Sequence, residues 1–127
     1  MVAFDHQQMG DLMIKRLAPG KRLSMATIHG GLVYLAGQVP DDLTVSLEAQ
    51  AAQVLAKIDA LLSEAGTDKS NILTATVWLP NIADFAAFNT VWDAWVPAGA
   101  SPARACVEAR LANPSIRVEI AAIAAIP

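Results

Sequence analysis

The side chains best suited to chemistry lie near the C-terminus, in residues 101–119. Arg104 lies in a strand-like run opened by Pro102, and proline suits the first residue of a strand because it lacks an N–H. Glu119 lies in a second strand-like run, and a turn of the Asn-Pro type separates the two. We expect the runs to pair as an antiparallel hairpin, with Arg104 and Glu119 on neighbouring strands facing one pocket. A guanidinium near a carboxylate suits a site for a small carboxylic acid.

Each of these residues also has a plainer interpretation. Arg104 could form a surface or interface salt bridge, and Glu119 could be a solvated strand residue. The lone Cys106 is more often a small buried hydrophobe than a nucleophile, and His29 fits a turn, so a Cys–His pair has no support. The Cys and His residues do not have the spacing of a zinc site, and no Gly-rich loop of the phosphate-binding type follows a strand. We therefore expect neither a metal nor another cofactor.

Two amphipathic stretches predict the helices that position these side chains. Ser46 is a good N-cap, apolar residues recur at helical spacing from Val54 to Ala65, and Gly66 suits a left-handed C-terminal residue. The second stretch carries an aromatic stripe, which we interpret as core between helix and sheet. Its members follow one another at spacings of three, four and three: Phe85, Phe88, Trp92 and Trp95.

The remaining regular segments predict strands. Residues 24–39 form two strand-like runs around Gly30-Gly31, and Gly37 within the second predicts a bulge or a close backbone approach. Residues 71–79 form another strand, and 14–17 could form a short one. The order β-β-α-β-α-β-β predicts one α+β domain, with both helices on one face of a mixed sheet.

Composition limits the classes of protein that remain. The chain has 127 residues, 54% hydrophobic and 17% charged, so we expect a single domain over residues 14–127 that associates with copies of itself. A net charge of −3 argues against nucleic acid as a partner. The longest apolar run, 120–126, is too short to span a bilayer. Residues 1–13 fit a flexible leader rather than a secretory signal, and the lone cysteine fits a reducing, cytoplasmic setting.

Several short segments occur together in the order of one known family. Together they resemble the Rid family (YjgF/YER057c/UK114), the reactive-intermediate deaminases, over about residues 15–126. The matching segments are Tyr34–Pro40, Glu64–Gly66, Phe88-Asn89, Pro102–Glu108 and Val118–Ile120.

The resemblance implies a chorismate-mutase-like (bacillus type) fold and a homotrimer that forms a central barrel, with clefts between subunits. It also implies the activity of a 2-iminobutanoate/2-iminopropanoate deaminase, a cofactor-free hydrolase that converts enamines and imines derived from amino acids to 2-oxo acids and ammonia. By the same resemblance, Arg104 grips the substrate carboxylate and Glu119 positions the attacking water. Cys106 lines the pocket, and Asn89 lies near the cleft.

The N-terminal part departs from the family pattern. Where better-known members carry Gly-Pro-Tyr-Ser-Gln, this chain has residues 21–25, in which Leu23 replaces the tyrosine and only Ser24 is retained. Gly31 falls where well-known deaminases carry a serine that contacts substrate. Two hypotheses stay open: an imine deaminase, or a non-catalytic trimer that binds a small carboxylate or a partner. Neither requires nucleic acid or a membrane.

Overall fold

The computed structural model describes residues 13–127, so residues 1–12 of the expected leader lie outside the described residues. Six strands form one sheet. The short strand that residues 14–17 could form is present, and it adds one strand to the expected order. The strands are β1 (Lys15–Pro19), β2 (Ser24–His29), β3 (Leu32–Leu35), β4 (Ile72–Leu79), β5 (Ala103–Glu108) and β6 (Glu119–Ala125). The helices are α1 (Leu47–Ala65) and α2 (Phe85–Trp95).

The ends of α1 confirm the capping signals in the sequence. The Ser46 hydroxyl accepts a hydrogen bond from the Ala49 amide at 3.2 Å, and Gly66 ends the helix in the left-handed conformation at φ +88°. Short 3-10 turns precede β4 and α2. In the described part of the chain, neither helix is long and apolar enough to cross a membrane.

The strand order is β1-β2-β3-β6-β4-β5, and β4 and β5 form the one parallel pair among the described strands. The expected hairpin between β5 and β6 is therefore wrong, because β4 lies between them. The physical reason is a β4-α2-β5 crossover, in which a helix carries the chain back to a parallel neighbour. The almost wholly apolar β6 takes an inner position, and the more exposed β5 takes the edge.

Both helices pack on one face of the sheet, as predicted. Alternate residues of each strand point into this core, while the other face carries partly exposed side chains. The core includes Val33, Val54, Leu55, Ile58, Leu62, Val77, Leu79, Phe88 and Ile120. The open face includes Tyr34, which is 40% exposed, and a hollow of about 240 Å³ lined partly by Thr74, Thr76 and Ile123.

Candidate functional site

Arg104 lies on the helix-covered side of the sheet, at its β5 edge. It is in register with Ala75, which is buried toward the helices, so the two side chains share that face. The guanidinium carbon lies 5.0 Å from the ring centroid of Trp92, 5.7 Å from that of Phe85 and 5.8 Å from that of Phe88. Within residues 13–127 no carboxylate pairs with Arg104. Ring faces attract a cation without neutralising it, so the charge stays available to a ligand carboxylate.

Asn89 lies on the same helical face as these rings. Positions 85, 88, 89 and 92 follow the spacing that places residues side by side on a helix. The Oδ1 of Asn89 is buried and accepts no hydrogen bond from any other described residue. A buried acceptor without a donor is unfavourable and uncommon in folded proteins. The Asn89 Oδ1 atom therefore marks a position where a hydrogen-bond donor is missing.

Cys106 follows Arg104 by two residues and lies on the same face, in register with the buried Val77. Burial raises the pKa of the Cys106 thiol, and the charge of Arg104 opposes that rise only in part. The thiol is therefore protonated at neutral pH, and a protonated thiol is a poor nucleophile. This geometry suits a residue that lines a pocket. We call the set Phe85, Phe88, Asn89, Trp92, Arg104 and Cys106 the arginine group.

Glu119 lies on the opposite face of the sheet. It is in register with Trp78, and the next residue, Ile120, is fully buried toward the helices, so the Glu119 side chain points the other way. Its carboxylate lies against the backbone of Gly37, where a Cβ atom would overlap Oε2 and lie 3.0 Å from Cδ. Position 37 must therefore be glycine for Glu119 to lie where it does. The close approach predicted at Gly37 is confirmed, although the sequence did not reveal the partner.

The two residues expected to share a pocket are far apart in one chain. Arg104 and Glu119 are separated by two strand spacings across the sheet and three residues along it, which corresponds to about 14 Å between Cα atoms. They also point to opposite faces. A single copy of the chain therefore does not bring them to one small ligand, and that expectation is wrong within a chain.

Leu23 and Ser24 lie at the β1–β2 end of the sheet, four strands away from the β5 edge that carries Arg104. Ser24 is two residues from the buried Ala26 in β2, so its side chain points to the helix-covered face, opposite to that of Glu119. Leu23 and Met25 line a hollow of about 770 Å³ at the β1–β2 turn. The Met25 sulfur is 3.9 Å from the side-chain nitrogen of Gln38, the residue that follows Gly37. We call Leu23, Met25, Gly37, Gln38 and Glu119 the glutamate group, because each contacts or neighbours the next.

Gly31 belongs to neither group. It lies in the β2–β3 turn at φ +76°, beyond the end of β2, and that strand alone places Ser24 roughly 17 Å from His29. A Cβ atom at position 31 would contact nothing within 4 Å. The structure therefore separates Gly31 from the other candidate residues of the same chain.

The sequence did not predict that the aromatic stripe contacts Arg104. Phe88 is fully buried and Trp92 is 6% exposed, as expected for core, but Phe85 is 41% exposed and all three rings face Arg104. The available signal was the β4-α2-β5 order. A crossover helix packs over the strands that it joins, so its aromatic face meets the first residues of β5.

Comparisons with known proteins agree with this architecture. The family model described as Endoribonuclease L-PSP matches residues 13–126. A RutC family protein from Haemophilus ducreyi is 48% identical over 114 residues, which cover 90% of this chain and 97% of the relative. The crystal structure of a YjgF family member from Neisseria meningitidis is 46% identical, with a TM-score of 0.88 and coverage of 92% and 98%.

A more distant relative carries a named activity. The 2-iminobutanoate/2-iminopropanoate deaminase of Salmonella typhimurium is 32% identical over 102 residues, which cover 75% of this chain and 80% of the deaminase. The six-stranded mixed sheet with two helices on one face defines an α+β domain of the YjgF type. The chain belongs to the Endoribonuclease L-PSP family, also called the YjgF or Rid family, and the resemblance noted in the sequence is confirmed.

Proposed function

We propose that this protein hydrolyses imines and enamines derived from amino acids, releasing 2-oxo acids and ammonia. The observation that carries the proposal is the Arg104 guanidinium, held over three aromatic rings and paired with no carboxylate of the described chain. Such a cation is prepared to bind the carboxylate that every 2-imino acid carries. The similarity to the Salmonella deaminase supports the same class of substrate.

The separation of Arg104 from Glu119 leads us to propose that the site forms between copies of the chain. In a head-to-tail ring, one subunit supplies the same surface to its neighbour at every interface. The arginine group of one copy would then meet the glutamate group of the next. Three copies would close the ring, with the open faces of their sheets forming the central barrel. The partly exposed apolar side chains of that face, such as Tyr34 and Ile123, would be covered there.

The proposed reaction needs few catalytic groups because an imine carbon is already electrophilic. Arg104 holds the carboxylate through two N–H donors and so fixes the carbon for attack. Glu119 accepts a proton from the attacking water, whose oxygen bonds to the imine carbon. That proton passes to the nitrogen, which gives a carbinolamine. Glu119 then moves the remaining hydroxyl proton to the amino group, the C–N bond breaks, and ammonia leaves as the C=O bond forms. Cys106 and Asn89 line the pocket around the carboxylate, and no cofactor takes part.

A second candidate is a trimer that binds a small carboxylate without turning it over. This alternative is favoured by the arginine group, which one chain supplies whole, whereas the proposed water-activating Glu119 must come from elsewhere. Leu23 and Gly31 also replace the tyrosine and serine of well-known deaminases with residues that carry no side-chain polar group. Carboxylate binding by Arg104 would survive both changes.

Imine turnover separates the two candidates. Imines would be produced in place by an amino-acid oxidase, and release of ammonia and 2-oxo acid would be followed for wild type, Arg104→Ala and Glu119→Ala. We expect acceleration by wild type, loss with either variant, and ligand binding that fails only with Arg104→Ala. Binding without any acceleration would overturn the deaminase proposal in favour of the second candidate.

Matched variants make that result specific. Arg110→Ala removes an exposed arginine just beyond β5, and Glu64→Ala removes an exposed glutamate near the end of α1. Both should retain wild-type turnover. Light scattering would measure the assembly in parallel, and a monomer that turns over imines would contradict the intersubunit site.

A further inference from the structure

We propose that the hollow at the β1–β2 turn receives the side chain of the substrate and selects 2-imino acids whose side chain is apolar and larger than ethyl. This inference rests on the proposed function and adds the class of substrate to it. The residues that carry it are Leu23 and Met25, whose side chains form the apolar wall of the hollow.

These two side chains are partly exposed and lie side by side in one hollow. Leu23 is 50% exposed and Met25 is 37% exposed, so each leaves much apolar surface in contact with water. Burying apolar surface is favourable by about 25 cal/mol per Å², so an apolar group that covers this wall would be bound in preference to a polar one. The hollow, at about 770 Å³, has room for a side chain of leucine or methionine size.

The wall lies close to the proposed catalytic carboxylate, because Met25 contacts Gln38, the residue that follows Gly37, and the Glu119 carboxylate lies against Gly37. Ala26 is buried toward the helices, so its neighbour Met25 points to the open face, the same face as Glu119. The Met25 sulfur contacts Gln38 at 3.9 Å, and Gln38 and Ile120 exchange backbone hydrogen bonds of 2.8 and 3.1 Å. A substrate whose imine carbon lies at Glu119 can therefore extend its side chain past Gln38 to Met25 and Leu23.

The charged residues of the hollow further restrict the class of substrate side chain. Lys21 and Arg22 are its charged members, and residues 13–40 contain four Lys and Arg but no Asp or Glu. A cationic substrate side chain would meet these two like charges in the hollow, while Glu119 lies outside it, beside the imine carbon. An acidic side chain is the competing class, but Lys21 and Arg22 lie on an exposed turn, where ion pairs contribute little and salt screens them. The apolar wall should therefore decide the preference.

The first test compares substrates with the wild-type protein. Imines derived from alanine, 2-aminobutyrate, leucine, methionine, glutamate and lysine would be supplied at matched rates. We expect kcat/KM for the leucine- and methionine-derived imines to exceed that for the alanine-derived imine by at least about tenfold. Equal values across the series, or a preference for the glutamate-derived imine, would overturn the proposal.

The second test alters the wall itself. Leu23→Ala should lower the leucine-to-alanine ratio of kcat/KM by about tenfold, chiefly through KM. Leu73→Ala is the matched control, because Leu73 is also a 50% exposed leucine but lies at the start of β4, outside the hollow. An unchanged ratio in a Leu23→Ala protein that keeps the wild-type assembly would contradict the assignment.

Binding of stable 2-oxo acids separates this inference from the proposed function. Calorimetry would compare 4-methyl-2-oxopentanoate with 2-oxopropanoate and 2-oxoglutarate. If no imine is turned over but the branched acid binds most tightly, the deaminase proposal fails and the side-chain selection stands. If imines are turned over without regard to side chain, the selection fails and the deaminase proposal stands.

Discussion

The arginine group and the glutamate group fix the positions of their charged side chains by different means. Arg104 is surrounded by rings of a crossover helix, two of them nearly or fully buried, and its position follows from the packing of the core. Glu119 lies against bare backbone, and its position follows from the missing side chain of Gly37. Large aromatic side chains position Arg104, whereas the absence of a side chain at Gly37 leaves space for Glu119.

This difference indicates how each group should respond to change. The arginine group shares residues with the core, so damage to it should lower the stability of the whole domain. The glutamate group depends on a local clearance, so damage there should alter function while the fold survives. The two groups also lie on opposite faces of the sheet, which is why the proposed site needs a second copy of the chain.

The largest expected effect tests the link between Arg104 and the core. Phe88→Ala should lower the free energy of unfolding by about 3–5 kcal/mol, because Phe88 is fully buried and its removal leaves a cavity. Phe85→Ala, which removes a 41% exposed ring at a similar distance from Arg104, should cost about 1 kcal/mol. Urea denaturation measures both values. Equal costs for the two rings would show that the arginine group does not depend on the core.

The next effect concerns the segment that leads into β6 and hence to Glu119. Gln50 is fully buried; its side-chain nitrogen donates to the Ser115 carbonyl at 3.0 Å, and its oxygen accepts from the Arg117 amide at 2.8 Å. Gln50→Leu leaves those backbone groups unpaired and should cost about 2–3 kcal/mol of unfolding free energy. Gln53→Leu is the control. Gln53 lies on the same helix, but its side-chain oxygen accepts hydrogen bonds from the exposed amides of Asp41 and Asp42, so its loss should cost under about 1 kcal/mol.

A smaller effect tests the clearance beneath Glu119. Gly37→Ala should reduce kcat/KM by about 10- to 100-fold, because the new methyl group displaces the Glu119 carboxylate. Unfolding free energy should change by less than about 1 kcal/mol, since the displaced atoms end a flexible side chain. In a Glu119→Ala background the same substitution should cause no further loss. An additive loss would mean that Gly37 acts independently of Glu119.

The smallest effect reports the electrostatics of the arginine group. Burial raises the pKa of the Cys106 thiol, so the rate of its alkylation should rise with pH through a midpoint above that of an ordinary cysteine. Arg104 opposes that rise, so Arg104→Ala should move the midpoint to still higher pH. Arg110→Ala should leave it in place. A lower midpoint in Arg104→Ala would contradict the proximity of the two side chains.

Much of the fold follows from local patterns. The Ser46 and Gly66 signals predict both ends of α1, the aromatic spacing predicts α2, and Gly30-Gly31 predicts the turn between β2 and β3. These features depend on neighbours within a few residues, where backbone geometry and side-chain type act directly. The arrangement of β5 and β6 did not follow, because the choice of strand partner depends on which strand needs cover on both faces.

The sequence alone therefore determined the helices, most of the strands, the α+β class and the family of this protein. It also identified Arg104 and Glu119 as the side chains with the clearest chemical use. Only the tertiary structure decided that they lie on opposite faces, that three rings surround the arginine, and that Gly37 makes room for the glutamate. Those facts depend on contacts between residues distant in the chain, and periodicity along the chain carries no information about which distant strands meet.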